Sequence, residues 1–128
     1  MKTIKRLHPF VVALLIYGCA SYPAGNDPVV VNAEKTTAIA VETINTFLKI
    51  EREDQDLIKS KLPQAHTYAN YVRVHALQWI STARSMTASY KNNRTAENKA
   101  NLTTAVAVLA QAVTQIGTYT NQIHSATP

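Results

Sequence analysis

The stretch LTTAVAVLAQAVTQIGTYTNQI, residues 102–123, decides the fold of this chain. Its core-forming positions recur at alternating intervals of four and three, which keeps them on one side of an α-helix. These positions are Leu102, Val106, Leu109, Val113, Ile116, Thr120 and Ile123. Thr95 and Asn98, three residues apart, form an N-cap signal. The pattern predicts an amphipathic helix over about 95–123.

Two further helical segments of similar length precede this one. The first is predicted over about 32–61, with Asn32 as its N-cap, and is taken as continuous through the acidic residues 51–56. The second is predicted over about 64–91, because Pro63 disfavours helical geometry in the residue before it and suits the first turn after it. Helices of about 42 Å joined by short turns must run antiparallel. The sequence therefore predicts an all-α fold, an up-down-up antiparallel three-helix bundle.

The composition agrees with a helical fold. The 128 residues are 46% hydrophobic and 16% charged, as expected of one globular domain. Only 3 Gly and 5 Pro are present, too few turn formers for a small β-sandwich or barrel.

The N-terminus has the layout of an export signal. Three cationic residues, Lys2, Lys5 and Arg6, precede the apolar run 10–17. Residues 7–20 would span only about 21 Å as a helix, which is too short for a hydrocarbon core of about 30 Å. We therefore expect a secretory signal peptide here.

The segment Ile16-Tyr17-Gly18-Cys19 resembles the lipobox of bacterial lipoproteins. The resemblance implies a signal peptide at 1–18, a lipidated Cys19 that anchors the chain in a membrane, a tether over 19–31 and the bundle over 32–128. Ala20 after the cysteine implies, in a Gram-negative host, an outer-membrane location facing the periplasm. Two alternatives stay open: an ordinary exported protein cut after Ala20, and a buried N-terminal helix with an incidental cysteine.

The net charge of +5 depends largely on the signal peptide. Removing its three cations lowers the basic count from 13 to 10 against 8 acidic residues, which leaves +2. A nearly neutral exported domain lacks the basic surface that nucleic acids require, so we expect no nucleic-acid partner.

The sequence predicts no enzyme, metal site or cofactor. Its glycines are isolated, so no phosphate-binding loop is indicated. His66 and His75 are nine residues apart and point to opposite sides of one helix, so they cannot share a metal. The acidic run 51–56 is interpreted as solvated surface. No G-x-S-x-G motif places a serine beside a histidine.

Two regions are expected to bind partners. The second helix is rich in aromatic and basic residues, including Tyr71, Arg73 and Arg84, which suit an anionic or sugar-containing ligand. The turn after it carries Lys91, Arg94 and Lys99, near the predicted anchor. Expected partners are cell-wall polymer, anionic headgroups or another envelope protein. The alternative is that the aromatic side chains fill the core and the cations are solvated.

The third helix has an uncharged outer face, because no charged residue follows Lys99. This face is a candidate surface for a homo-oligomer or a partner helix. Its residues are Thr104, Val108, Gln111 and Gln115. The alternative is a neutral solvated face.

These features together predict a small envelope-anchored lipoprotein that acts as a non-enzymatic binding or scaffolding module. One alternative is an accessory lipoprotein encoded by a phage or plasmid, acting in exclusion or lysis. The other is a helical-bundle enzyme.

Overall fold

A computed structural model describes residues 27–127, and this part of the chain is helical without any strand. It contains α1 (Pro28–Glu53), α2 (Gln55–Lys61), α3 (Pro63–Asn92) and α4 (Ala96–Ala126). The predicted all-α class is confirmed. Within these residues no helix has the length and apolar character needed to cross a membrane. The predicted signal peptide and Cys19 lie outside the described residues.

The start of α1 differs from the prediction. Asp27 is the N-cap, and its carboxylate accepts a hydrogen bond from the backbone N–H of Val29 at 2.9 Å. Pro28 occupies the first turn, where its missing N–H costs nothing and its fixed φ suits a helix. The prediction of Asn32 as N-cap was therefore wrong, and residues 28–31 belong to the helix, not to a tether. The earlier start brings Val30 into the core, where it is buried.

The first helix was predicted to be continuous, but it is interrupted at Asp54, between α1 and α2. The carbonyl end of a helix disfavours negative charge, whereas the amino end favours it. The interruption makes Asp54 the N-cap residue of α2 and puts Asp56 in its first turn. Seven residues of α2 then direct Ile58 into the core.

Two other local predictions are confirmed. α3 begins at Pro63, and the hydroxyl of Thr95 accepts a hydrogen bond from the backbone N–H of Asn98 at 3.1 Å. Of the seven core-forming positions predicted in α4, the heptad-spaced Leu102, Leu109, Ile116 and Ile123 are buried, whereas Val106, Val113 and Thr120 are half-buried.

The three long helices contact one another in pairs around one core. Its largest fully buried apolar side chains include Phe47, Ile58 and Val72, besides the heptad residues of α4. Fully buried alanines, among them Ala40 and Ala83, let the helix axes approach closely.

Candidate functional site

The outward sides of α3 and α4 form an open groove of about 860 Å³, here called the aromatic groove. It is lined by Tyr68, Tyr71 and Trp79 of α3 and by Val108, Ala110, Gln111, Ala112, Thr114 and Gln115 of α4. None of these nine residues carries a charge. The groove therefore combines aromatic rings from one helix with amide, hydroxyl and small side chains from the other.

The α3 wall of the groove is a ladder of rings. Tyr71, His75 and Trp79 recur every four residues and so lie on one side of the helix. The ring centroids of Tyr71 and His75 are 4.4 Å apart, and the rings of His75 and Trp79 are stacked at 5.7 Å. Tyr71 is 49% exposed, so its ring is available to a ligand.

Tyr68 lies deeper and joins the groove to the core. Its ring centroid is 5.1 Å from that of Tyr119 and 6.2 Å from that of Phe47. Burial raises the pKa of Tyr68 above its ordinary value of 10.0, and the neighbouring Tyr71 and Tyr119 raise it further. The hydroxyl therefore stays protonated and uncharged at neutral pH.

A second depression of about 440 Å³ lies next to the aromatic groove. It shares Tyr68 and Tyr71 with that groove, and is completed by Pro63, Gln64, Thr67 and Tyr119. The rings of Tyr68 and Tyr71, 5.9 Å apart, thus border both concavities.

The groove unites residues that the sequence analysis assigned to two separate surfaces. Tyr71 was placed on a partner-binding face, whereas Val108, Gln111 and Gln115 were placed on an oligomer face. Thr104 is exposed one turn before Val108 and does not line the groove. That this face mediates self-association stays a prediction. Trp79 and Tyr68 belong to the aromatic-rich helix considered for partner binding, but they were left out of the candidate site because their helical spacing favoured a place in the core.

The bases of α3 do not share the side of its aromatic ladder, so their grouping as one face was wrong. Arg73 lies about 200° around the helix from Tyr71, and its guanidinium forms an ion pair with Glu51 of α1. Arg84 is exposed about 20° from Arg73, on the same side of α3. Within residues 27–127 it forms no ion pair.

The cations of the second turn are partly neutralised by acids near the start of α1. Lys91 pairs with Glu34, and Arg94 Nε is 3.5 Å from the Oδ2 of Asp27. Lys99 is exposed and has no ion pair among the residues described. The predicted cationic surface did not include these α1 acids, because only the fold brings them beside Lys91 and Arg94.

Glu51 was predicted to be solvated, but its side chain is fully buried. Its carboxylate accepts hydrogen bonds from His66 Nδ1 at 2.6 Å and from the guanidinium of Arg73. Burial raises the pKa of the Glu51 carboxyl, but the hydrogen bonds and positive charges of its two partners outweigh this and leave the pKa below its ordinary value.

Asn70 closes this polar cluster into a ring. Its Oδ1 accepts a hydrogen bond from Arg73 Nη1 at 2.7 Å, since arginine can only donate. Its amide nitrogen then lies on the side of His66, 3.3 Å from the Nε2 atom. The cluster fastens the end of α1 to α3. No group of three or more potential metal-ligating side chains occurs among residues 27–127.

Comparison with known proteins adds no relative: no family model, curated protein or solved structure matches this chain.

Proposed function

We propose that this protein is a small envelope lipoprotein that acts as a non-enzymatic binding module for cell-wall polymer. In this proposal residues 1–18 direct export, Cys19 is acylated, and the domain is held at the outer membrane facing the periplasm. The observation that carries the binding role is the aromatic groove, a concave, uncharged surface with an exposed ring at Tyr71. Concave sites that combine aromatic walls with a few polar groups are typical of ligand binding.

The domain in this proposal is an up-down-up three-helix bundle. Contacts between Glu34 and Lys91, and between Glu51 and Arg73, support an antiparallel pairing of α1 with α3. The 5.1 Å ring contact of Tyr68 with Tyr119 supports the same arrangement for α3 and α4.

The anchor and the groove lie at different levels of such a bundle. The chain between Cys19 and Asp27 cannot exceed about 29 Å when fully extended. The groove residues of α3 lie between Tyr68 and Trp79. Measured along the helix axis, they are about 20–36 Å from the end of α3 at Asn92. Since Arg94 contacts Asp27, the end of α3 lies beside the start of α1. In this proposal the groove therefore lies about 20–36 Å along the bundle from the end that carries the anchor, on the part of the domain that meets the wall polymer.

Mass spectrometry of the mature chain tests the anchoring. We expect a mass that begins at Cys19 and carries two or three acyl chains, together with sedimentation in the membrane fraction. The Cys19→Ser variant should lack the acyl mass and leave that fraction. An unmodified chain cut after Ala20 would overturn the anchored part of the proposal.

Co-sedimentation of the full-length protein with purified cell-wall sacculi tests the binding role. We expect the wild type to pellet with sacculi and Tyr71→Ala to stay in solution. Leu77→Ala is the matched control, because Leu77 is an exposed apolar residue of the same helix that lies outside the groove. Equal pelleting of the two variants would remove the groove from the proposed function.

A further inference from the structure

We propose that the aromatic groove and the adjacent depression are two subsites for an uncharged saccharide chain, with neighbouring sugar units on either side of the Tyr68 and Tyr71 rings. This inference rests on the proposed function and specifies its ligand. It is carried by three observations: the exposed ring of Tyr71 in the ring ladder, the uncharged lining, and the two tyrosines that border both concavities.

The rings supply the apolar contact that a sugar needs. A pyranose has C–H faces and a hydroxyl-bearing rim, so it binds best where an aromatic face lies beside polar side chains. Tyr71 presents a half-exposed ring, and Trp79, stacked on His75, continues the same wall. Because Tyr71 also borders the second depression, one ligand chain in both subsites would cover this ring.

The opposite wall supplies hydrogen bonds of the kind that hydroxyl groups require. Gln111 and Gln115 are exposed on the same side of α4, four residues apart. Each amide offers two donors and an acceptor, whereas a sugar hydroxyl both donates and accepts. The two walls therefore provide stacking on one side and two-way hydrogen bonding on the other.

The charge distribution favours an uncharged ligand. A charged ligand would be desolvated in the groove without a counter-charge, which costs free energy. None of the residues that line either concavity is charged. His75 lies in the ring ladder but lines neither concavity, and Arg73 and Arg84 lie on another side of α3. A neutral polyhydroxylated chain matches this surface.

A second copy of the chain fits the groove less well. A docked helix requires apolar anchors about every three or four residues. Among the α4 residues that line the groove, Val108 is the one large apolar side chain, and Ala110 and Ala112 are too small to serve as anchors. Among residues 27–127, the most exposed large apolar side chain, Leu77 at 78%, lies outside the groove.

Titration of the full-length protein with defined saccharides tests the proposal. The protein is kept in a polyoxyethylene detergent, which has no sugar headgroup. The probes are uncharged tetrasaccharides: β-linked N-acetylglucosamine, β-linked glucose and α-linked glucose. Trp79 is the only tryptophan of the chain and lines the groove, so its fluorescence reports occupancy. Calorimetry gives the affinity independently.

We expect saturable binding of at least one tetrasaccharide, and at least tenfold weaker binding of its monosaccharide because one subsite is then empty. Tyr71→Ala and Gln115→Leu should each weaken the tetrasaccharide at least tenfold, whereas Leu77→Ala should not change it. The cationic glucosamine tetramer should bind at least tenfold more weakly than its N-acetylated counterpart. Circular dichroism checks that the variants keep their helices. If Tyr71→Ala does not fold, the binding measurement with Gln115→Leu still tests the groove.

Two results would overturn this inference. One is the absence of binding by all three uncharged tetrasaccharides, or binding that both groove variants leave unchanged. The other is that the protein binds no saccharide, self-associates with increasing concentration, and loses this self-association in Gln111→Glu. A second copy of the chain would then occupy the groove. Neither result changes the acyl mass expected at Cys19, and the protein could still pellet with sacculi by binding the peptide part of the wall. The proposed function is therefore judged by its own two experiments.

Discussion

The guanidinium of Arg73 on α3 forms an ion pair with the fully buried carboxylate of Glu51, three residues before the break between α1 and α2. The two residues are 22 positions apart in the chain. A buried carboxylate without partners is strongly unfavourable, so Arg73 and His66 are needed wherever Glu51 lies in the interior. The pair thereby determines how the end of α1 packs against α3.

Replacing Arg73 should destabilise the fold through this carboxylate. We expect Arg73→Leu to lower the free energy of unfolding by about 3 kcal/mol, because it leaves a buried charge with one partner fewer. Arg84→Leu, on the same side of α3 without an ion pair among the described residues, should change it by at most about 0.5 kcal/mol. Urea unfolding of the full-length chain measures both, and equal effects would show that the ion pair contributes nothing.

Stability should fall in acid because of Glu51. Its pKa in the folded protein is below the ordinary value of 4.5, so the unfolded chain takes up the proton at a higher pH than the folded one. The stabilisation is complete above 4.5 and is lost as the pH falls through the folded pKa. Unfolding free energies from about pH 7 to about pH 3 should show this decline in the wild type and a smaller one in Glu51→Gln. Identical slopes would contradict the assignment.

Asn32, which was predicted as the N-cap of the first helix, is a matched control for the observed N-cap Asp27. Asp27→Ala should destabilise the protein by about 1 kcal/mol, because the backbone N–H of Val29 loses its acceptor and the ion pair between Asp27 and Arg94 is removed. Asn32→Ala should leave stability unchanged or raise it by about 0.5 kcal/mol, since Asn32 is exposed within α1 and alanine favours helix. Thermal unfolding compares them, and a larger loss at Asn32 would favour the original assignment.

Gly117 in α4 offers a stabilising substitution. A Cβ atom at this position meets nothing within 4 Å among the described residues, and the residue is exposed inside a helix. Gly117→Ala should therefore raise the free energy of unfolding by about 1 kcal/mol, because alanine loses less backbone entropy. Urea unfolding measures the gain, and a loss of stability would reveal a contact at this position.

The aromatic groove illustrates how far sequence reasoning reached. Tyr71 and the outer face of α4 were both identified as binding surfaces, since exposed rings and an uncharged helix face stand out in the sequence. Their union in one groove could not be predicted from periodicity, which gives the direction of a side chain on its own helix but not which helix lies beside it. The same limit explains why Arg73 was grouped with Tyr71, although Arg73 faces α1 and Tyr71 faces α4.

The sequence by itself determined the all-helical class, the start of α3 at Pro63, the Thr95 cap and the buried heptad of α4, because each depends on residues within a few turns of one helix. Only the tertiary structure decided that Glu51 is buried while the acidic residues after it are not. Only the tertiary structure brought Tyr71 and Gln111 into one groove. Burial of a charge and formation of a groove both depend on side chains contributed by distant segments, and the chain acquires those neighbours only when its helices pack together.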